Sequence, residues 1–395
     1  MGLLPPPEIL AAYGGLLTLA IVSIYAGSYA TLPAEVSRLR SYALKERGDE
    51  DEDEVDNEPT ERISSGDAYL FPFLGAAVLL SLYYIMKFLG PEWLSLLIGW
   101  YFALTGTLSV WRTSTSLLKR VMGRATWNSF RQWNLKMPYV SADAFSLRFR
   151  TPSLIMLPMS VVPSAMYILI PGEKRSMLLG NILALSLTHT ALALLKLDSF
   201  ATGVVLLSGL FFYDIWFVFY TEVMVSVATG LDVPIKLVWP KSFTFTSSSG
   251  SAMLGLGDIV IPGAFISLCL RYDFARAVAR IRASDGKPIA VTTPYFTAGM
   301  TGYTIGLLTT IFVMHTFRAA QPALLYLSPA CIISFFATAW ALGELKQALA
   351  YDDGEEDEKR RLEKDAQVEP TSEDPPVGTV DERTSATTDG LRKRT

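Results

Sequence analysis

Two aspartates stand in stretches that otherwise read as buried in lipid: Asp214 in "SGLFFYDIWFVFY" (208–220) and Asp258 in "MLGLGDIVIPG" (253–263). An ionised side chain in hydrocarbon costs several kcal/mol, so acids inside spans are rare and mark function. Two carboxylates a few Å apart cannot both ionise cheaply and hold one proton between them over a wide pH range. One can then act as general base on a water while the other, protonated, hydrogen-bonds a carbonyl oxygen. That is aspartic-protease chemistry. The same acids could instead line the pathway of an ion- or proton-coupled membrane transporter. Gly255 and Gly257 tip the balance toward hydrolysis, because they leave the backbone beside Asp258 uncovered and let water and a substrate strand approach. Plain close packing is the blander use of such glycines.

The elements that must position these acids follow from composition. The chain has 395 residues, is half hydrophobic and only 18% charged. Its charges crowd into residues 32–67, 112–152, 271–292 and 344–395. That segregation belongs to an all-α polytopic membrane protein rather than to a soluble one. Apolar runs of span length occur at about 8–30, 68–88, 92–111, 153–170, 177–196, 201–229, 251–270, 293–316 and 319–343, which predicts nine transmembrane helices. Pro158 and Pro163 interrupt the fourth. The first run has no cationic region before it and no clear cleavage site, so it reads as a retained span.

With nine spans, 28 of the 34 Lys and Arg residues fall on one side. The positive-inside rule then places the N-terminus in the lumen and the C-terminus in the cytosol. The sixth span runs toward the lumen and the seventh runs back. Asp214 lies about 20 Å from the cytosolic edge of a core about 30 Å thick, and Asp258 about 10 Å from the lumenal edge. The two acids therefore share one depth on consecutive antiparallel helices. The ninth span enters from the lumen as "AAQPALLYLSPA" (319–330), where Pro322 and Pro329 each remove a backbone donor. Its start reaches the same depth and could shape a pocket or hold a substrate strand.

Taken together these residues resemble a known family. Tyr213–Asp214, "GLGD" at Gly255, Leu256, Gly257 and Asp258, and "QPAL" at Gln321, Pro322, Ala323 and Leu324 are similar in order and spacing to the G-x-G-D intramembrane aspartyl proteases, in the signal-peptide-peptidase branch. "MVSVATGLDVPIKLVWP" (224–240) and "IFVMHTF" (311–317) extend the likeness. The resemblance implies a nine-span, presenilin-like fold in the endoplasmic reticulum membrane. It implies Asp214 and Asp258 as the catalytic pair, the flanking motif residues as substrate-binding and active-site support, and no metal or organic cofactor. Expected substrates are membrane-spanning helices of type II orientation, such as remnant signal peptides, and tail-anchored helices; quality-control or degradation partners and a homo-oligomer are compatible with it. Presenilins run in the opposite orientation and carry a long loop between the catalytic spans, whereas about 20 residues (230–250) separate them here. Glu222, where a neutral residue is expected, and the basic segments 112–152 and 271–292 depart from the family pattern.

The predicted organisation is a first helix with an acidic cytosolic linker (1–67), helices two to five with a basic loop at 112–152 (68–196), a catalytic core (197–345) and a disordered cytosolic tail (346–395). "LRKRT" at the end faintly resembles a dilysine-type retrieval signal. The two histidines, His189 and His315, form no H-E-x-x-H zinc motif, and the two cysteines read as buried thiols. Lys119, Arg120 and Arg124 fit snorkelling to anionic headgroups better than nucleic-acid binding.

Overall fold

The computed structural model describes residues 7–32, 61–123, 126–127, 129–136, 146–170, 176–230, 234–240, 251–283, 291–317 and 321–354. The linker 33–60, the 241–250 loop and the C-terminal retrieval-like sequence lie outside the described residues. In chain order the helices are α1 (Pro7–Ala30), α2 (Ser65–Leu89), α3 (Pro91–Met122), α4 (Thr151–Leu169), α5 (Met177–Leu194), α6 (Phe200–Phe219), α7 (Val223–Gly230), α8 (Gly257–Ala283), α9 (Pro294–Phe317), α10 (Leu324–Ala341) and α11 (Leu345–Leu349). Among the described residues three two-stranded sheets accompany them: β1 (Glu61–Ile63) parallel to β4 (Leu195–Leu197), β2 (Gln132–Lys136) antiparallel to β3 (Ser146–Arg150), and β5 (Lys236–Pro240) antiparallel to β6 (Ser251–Gly255).

Among the described residues, eight helices are long and apolar enough to cross a membrane: α1 to α6, α9 and α10. The ninth long helix, α8, carries Asp258, Arg271 and Asp273 and is the most enclosed, with every residue from Pro262 to Phe274 buried. It packs against α1, α5, α6, α9 and α10. The outer helices instead turn large apolar side chains outward, among them Phe73, Phe88, Trp93 and Leu97. A water-soluble protein does not expose such a continuous apolar surface; a bilayer covers it.

Local chemistry sets the helix ends. A capping box between Ser64 and Asp67 starts α2. Gly90, at φ 88° and ψ 153°, turns the chain directly into α3, whose first residue is Pro91. Pro158 and Pro163 do not break α4, which runs through both. The start of α9 is capped from a neighbour: Asp273 on α8 accepts the N–H groups of Tyr295 at 3.4 Å and Phe296 at 2.9 Å.

Four expectations need correction. The seventh span does not begin at 251: residues 251–255 are extended and the helix runs from 257 to 283, because β5 offers residues 251–255 a strand partner. The sixth span ends at Phe219, and after a break at Tyr220–Glu222 the short α7 follows. The basic segment from 112 begins with three more turns of α3, up to Met122. The start of the tail belongs to the folded unit, since residues 345–349 are helical and Asp353 is 4% exposed.

Asp353 shows why. Its N–H donates to Asp198 O at 2.8 Å, and its carboxylate faces Arg271 Nε at 3.1 Å and Arg62 at 3.6 Å. Arg271, 4% exposed, also donates to Leu197 O at 3.1 Å. The predicted cytosolic segments thus contribute Arg62, Asp198, Arg271 and Asp353 to one end of the bundle, as an alternating topology requires. Removing one partner strands a buried charge, which costs about 3–5 kcal/mol. Arg271→Ala is expected to lower the melting temperature of the detergent-solubilised chain strongly. Arg280→Ala, at an exposed ion pair with Glu344, is expected to cost at most about 1 kcal/mol.

Candidate active site

Asp214 sits on α6 and is buried. Its Oδ2 accepts the backbone N–H of Leu324 at 3.0 Å. That N–H is available because Leu324 opens α10, and the first N–H groups of a helix have no partner within it. Gln321, Pro322 and Ala323 lead into the helix outside its regular structure, with Pro322 buried. The Ala323 carbonyl accepts from Tyr326 and Leu327, which locks the turn onto α10. Further along, Phe200 of α6 stacks on Phe335 of α10 with ring centroids 4.2 Å apart.

Asp258 is the second residue of α8 and is only partly buried. Leu256 makes the joint before it: its N–H donates to Ile235 O at 3.0 Å, and its carbonyl accepts from Ile259 and Val260. Gly255 ends β6 so close to the acid that a Cβ there would lie 3.3 Å from Asp258 Oδ2. Gly257 is exposed with open space around its Cα, so the approach to Asp258 is uncovered there.

The two acids are brought to one level by a close approach of their helices. Gly203 of α6 lets the Phe265 ring of α8 come within 2.6 Å of where a Cβ would be. From that crossing Asp214 lies 11 residues along α6 and Asp258 lies 7 residues back along α8. At 1.5 Å per residue the acids rise about 16 Å and about 10 Å toward the same end, within about one turn of each other. Tyr213 is not part of this meeting: its ring packs on Phe217, centroids 4.7 Å apart, and against Gly75 of α2. Gln321 is half-buried at the entrance to the turn.

Among the described residues no three His, Cys, Asp or Glu side chains gather as a metal site would need. A groove of about 810 Å³ between α9 and α10 is lined by Thr297, Thr301, Gly302, Ile305, Ile333 and Ser334, and neither aspartate contributes to it. The β5–β6 pair beside Asp258 escaped the sequence reading. "KLVWP" does carry a strand signal in its β-branched and aromatic residues, but it is five residues long and sits in a stretch taken as loop.

Residues 55–355, which include both aspartates and Gln321–Leu324, match the family described as signal peptide peptidase. This chain belongs to that family. Over 354 residues it is 35% identical to the signal peptide peptidase of Mus musculus and 34% identical to that of Homo sapiens, covering 88% of this chain and 85% of each relative. It is also 43% identical over 197 residues to intramembrane protease 2 of Caenorhabditis elegans, covering 47% of this chain and 42% of that protein. The chain is accordingly a multi-pass membrane protein of an intramembrane protease family.

The tight fit at Gly255 carries a test. Gly255→Ala places a methyl against the Asp258 carboxylate and is expected to cut turnover by about tenfold to a hundredfold. Gly14→Ala, where nothing lies within 4 Å, is expected to leave it unchanged. Cleavage of a labelled signal-peptide substrate by the two purified variants measures both.

Proposed function

We propose that this protein is an intramembrane aspartyl endopeptidase in which Asp214 and Asp258 form the catalytic pair. One carboxylate takes a proton from a water as it attacks the scissile carbonyl. The other, protonated, donates a hydrogen bond to the carbonyl oxygen and then supplies a proton to the leaving amine. Two carboxylates facing one another share a proton, so the pair starts the cycle in the singly protonated form without metal or cofactor. The observation that carries the reading is the Leu324 N–H donated to Asp214, which ties the "QPAL" turn to the first acid within an intramembrane protease family.

The substrate is a membrane-spanning helix, which must be unwound locally before its amides can be attacked. The extended β6 strand running into Asp258 offers such a segment a place to lie: backbone groups in a membrane need partners, and a strand edge supplies them. Type II-oriented helices left by signal peptidase, in the endoplasmic reticulum membrane, are the class we assign. The N-terminus of the enzyme then faces the lumen and its C-terminus the cytosol, in line with the sidedness of its Lys and Arg residues.

Asp214→Asn and Asp258→Asn test the chemistry. Each replaces an acid by an amide of the same shape, and each is expected to lower turnover of a labelled signal-peptide substrate by at least about a hundredfold. Wild-type turnover in either variant would end the assignment.

A further inference from the structure

One edge of the β5–β6 pair is already occupied, and by a side chain. In an antiparallel pair, opposed residues alternate between exchanging two hydrogen bonds and exchanging none. Ile235 O accepts the Leu256 N–H, which puts Leu237–Leu254 and Trp239–Ala252 in the bonded class and Val238–Met253 in the other. The N–H and C=O of Val238 therefore point away from β6. Asn181 on α5 takes both: its Nδ2 donates to Val238 O at 2.7 Å and its Oδ1 accepts the Val238 N–H at 2.9 Å. A backbone N–H can only donate and a carbonyl can only accept, so these two contacts set the orientation of the amide.

The neighbours of Val238 on β5 are held differently. Trp239 lies over Gly15 of α1, where a Cβ would meet the indole at 2.5 Å. Pro240, opposite Ser251, falls in the non-bonded class, where its missing N–H takes nothing from the ladder. Met253 is different. It is 58% exposed, and its N–H and C=O face the outer edge of β6, where no described residue bonds them.

We propose that Asn181 is a positioning residue. Its carboxamide stands in for a third strand on β5, holds that strand against β6, and leaves the outer edge of β6 open to an extended substrate beside Asp258. The inference rests on the proteolytic reading above and adds the element that sets where the substrate lies. Met253 precedes Asp258 by five residues, so a strand bonded at Met253 meets the acids in one register. With Asn181 removed, Val238 becomes a second open edge, and a chain paired there is displaced from the acids.

The test uses the full-length purified chain in liposomes with a single-span signal-peptide substrate, reading kcat, KM and the masses of the products. Asn181→Leu is expected to lower kcat by about tenfold, with KM changed less than about twofold, and to add product masses that the unaltered chain does not make. Asn181→Asp keeps the acceptor for the Val238 N–H but loses the donor to its carbonyl, and is expected to fall between. A merely structural asparagine would lower stability and leave the cut positions alone, so unchanged product masses in both variants would overturn the proposal. Should Asn181→Leu not fold, as read from its melting temperature, Asn181→Asp decides on the same masses. If the unaltered chain cleaves nothing, the proteolytic reading falls and takes this proposal with it; normal cleavage with unshifted products sinks the clamp alone.

Discussion

A backbone N–H at the start of one helix and a carboxylate on another, each costly alone in hydrocarbon, hold each other at 3.0 Å. Much of the bundle is arranged so that Leu324 and Asp214 can meet. The α10 helix must begin at the depth of the acid, which the prolines before and within its first turns enforce. It must also lie close to α9, and Gly302 and Gly306 permit this: a Cβ on either would run into Ala330, Ser334 or the Tyr326 carbonyl. The α6 helix must in turn lie close to α8, and Gly203 permits that. Small residues at crossings are how membrane helices gain packing energy where lipid supplies no hydrophobic drive.

The charged groups obey the same constraint at the other end of the molecule. Arg271 and Asp273, near the end of the buried part of α8, both find partners there, in Asp353 and Leu197 for the arginine and in the first N–H groups of α9 for the aspartate. These contacts join α8 to segments between 22 and 82 residues away in sequence. They hold α8, and with it Asp258, from the end opposite to the site. The proposed catalytic pair is therefore supported through a helix whose polar terminus is tied down and whose middle is wholly enclosed. Its start, at Gly257 and Asp258, remains open.

That open start adjoins a strand pair whose outward backbone groups are treated differently on its two edges. On β5 those of Val238 are paired by Asn181, a side chain doing the work of a strand. On β6 the outward groups of Met253 have no such partner among the described residues. A protease that must bind an unwound segment needs unsatisfied backbone groups next to its acids, and needs them in one place only.

Much of this was legible from residue order. That the chain carries many membrane-length apolar helices, with Asp214 in one of them and Asp258 at the start of another long helix, follows from hydropathy; eight such helices stand among the described residues where nine were expected, because α8 carries Asp258, Arg271 and Asp273. These are properties summed along single helices, which a linear sequence records directly. Tertiary structure alone decided that the Leu324 N–H meets Asp214, that residues 251–255 leave the helix for a strand, and that Asp353 folds back into the bundle. It also decided that Asn181 faces Val238. Contacts spanning 57 and 110 residues depend on how each helix is rotated about its axis. That rotation is set by which small residues interlock with which large ones, a property of pairs of helices that no single stretch contains.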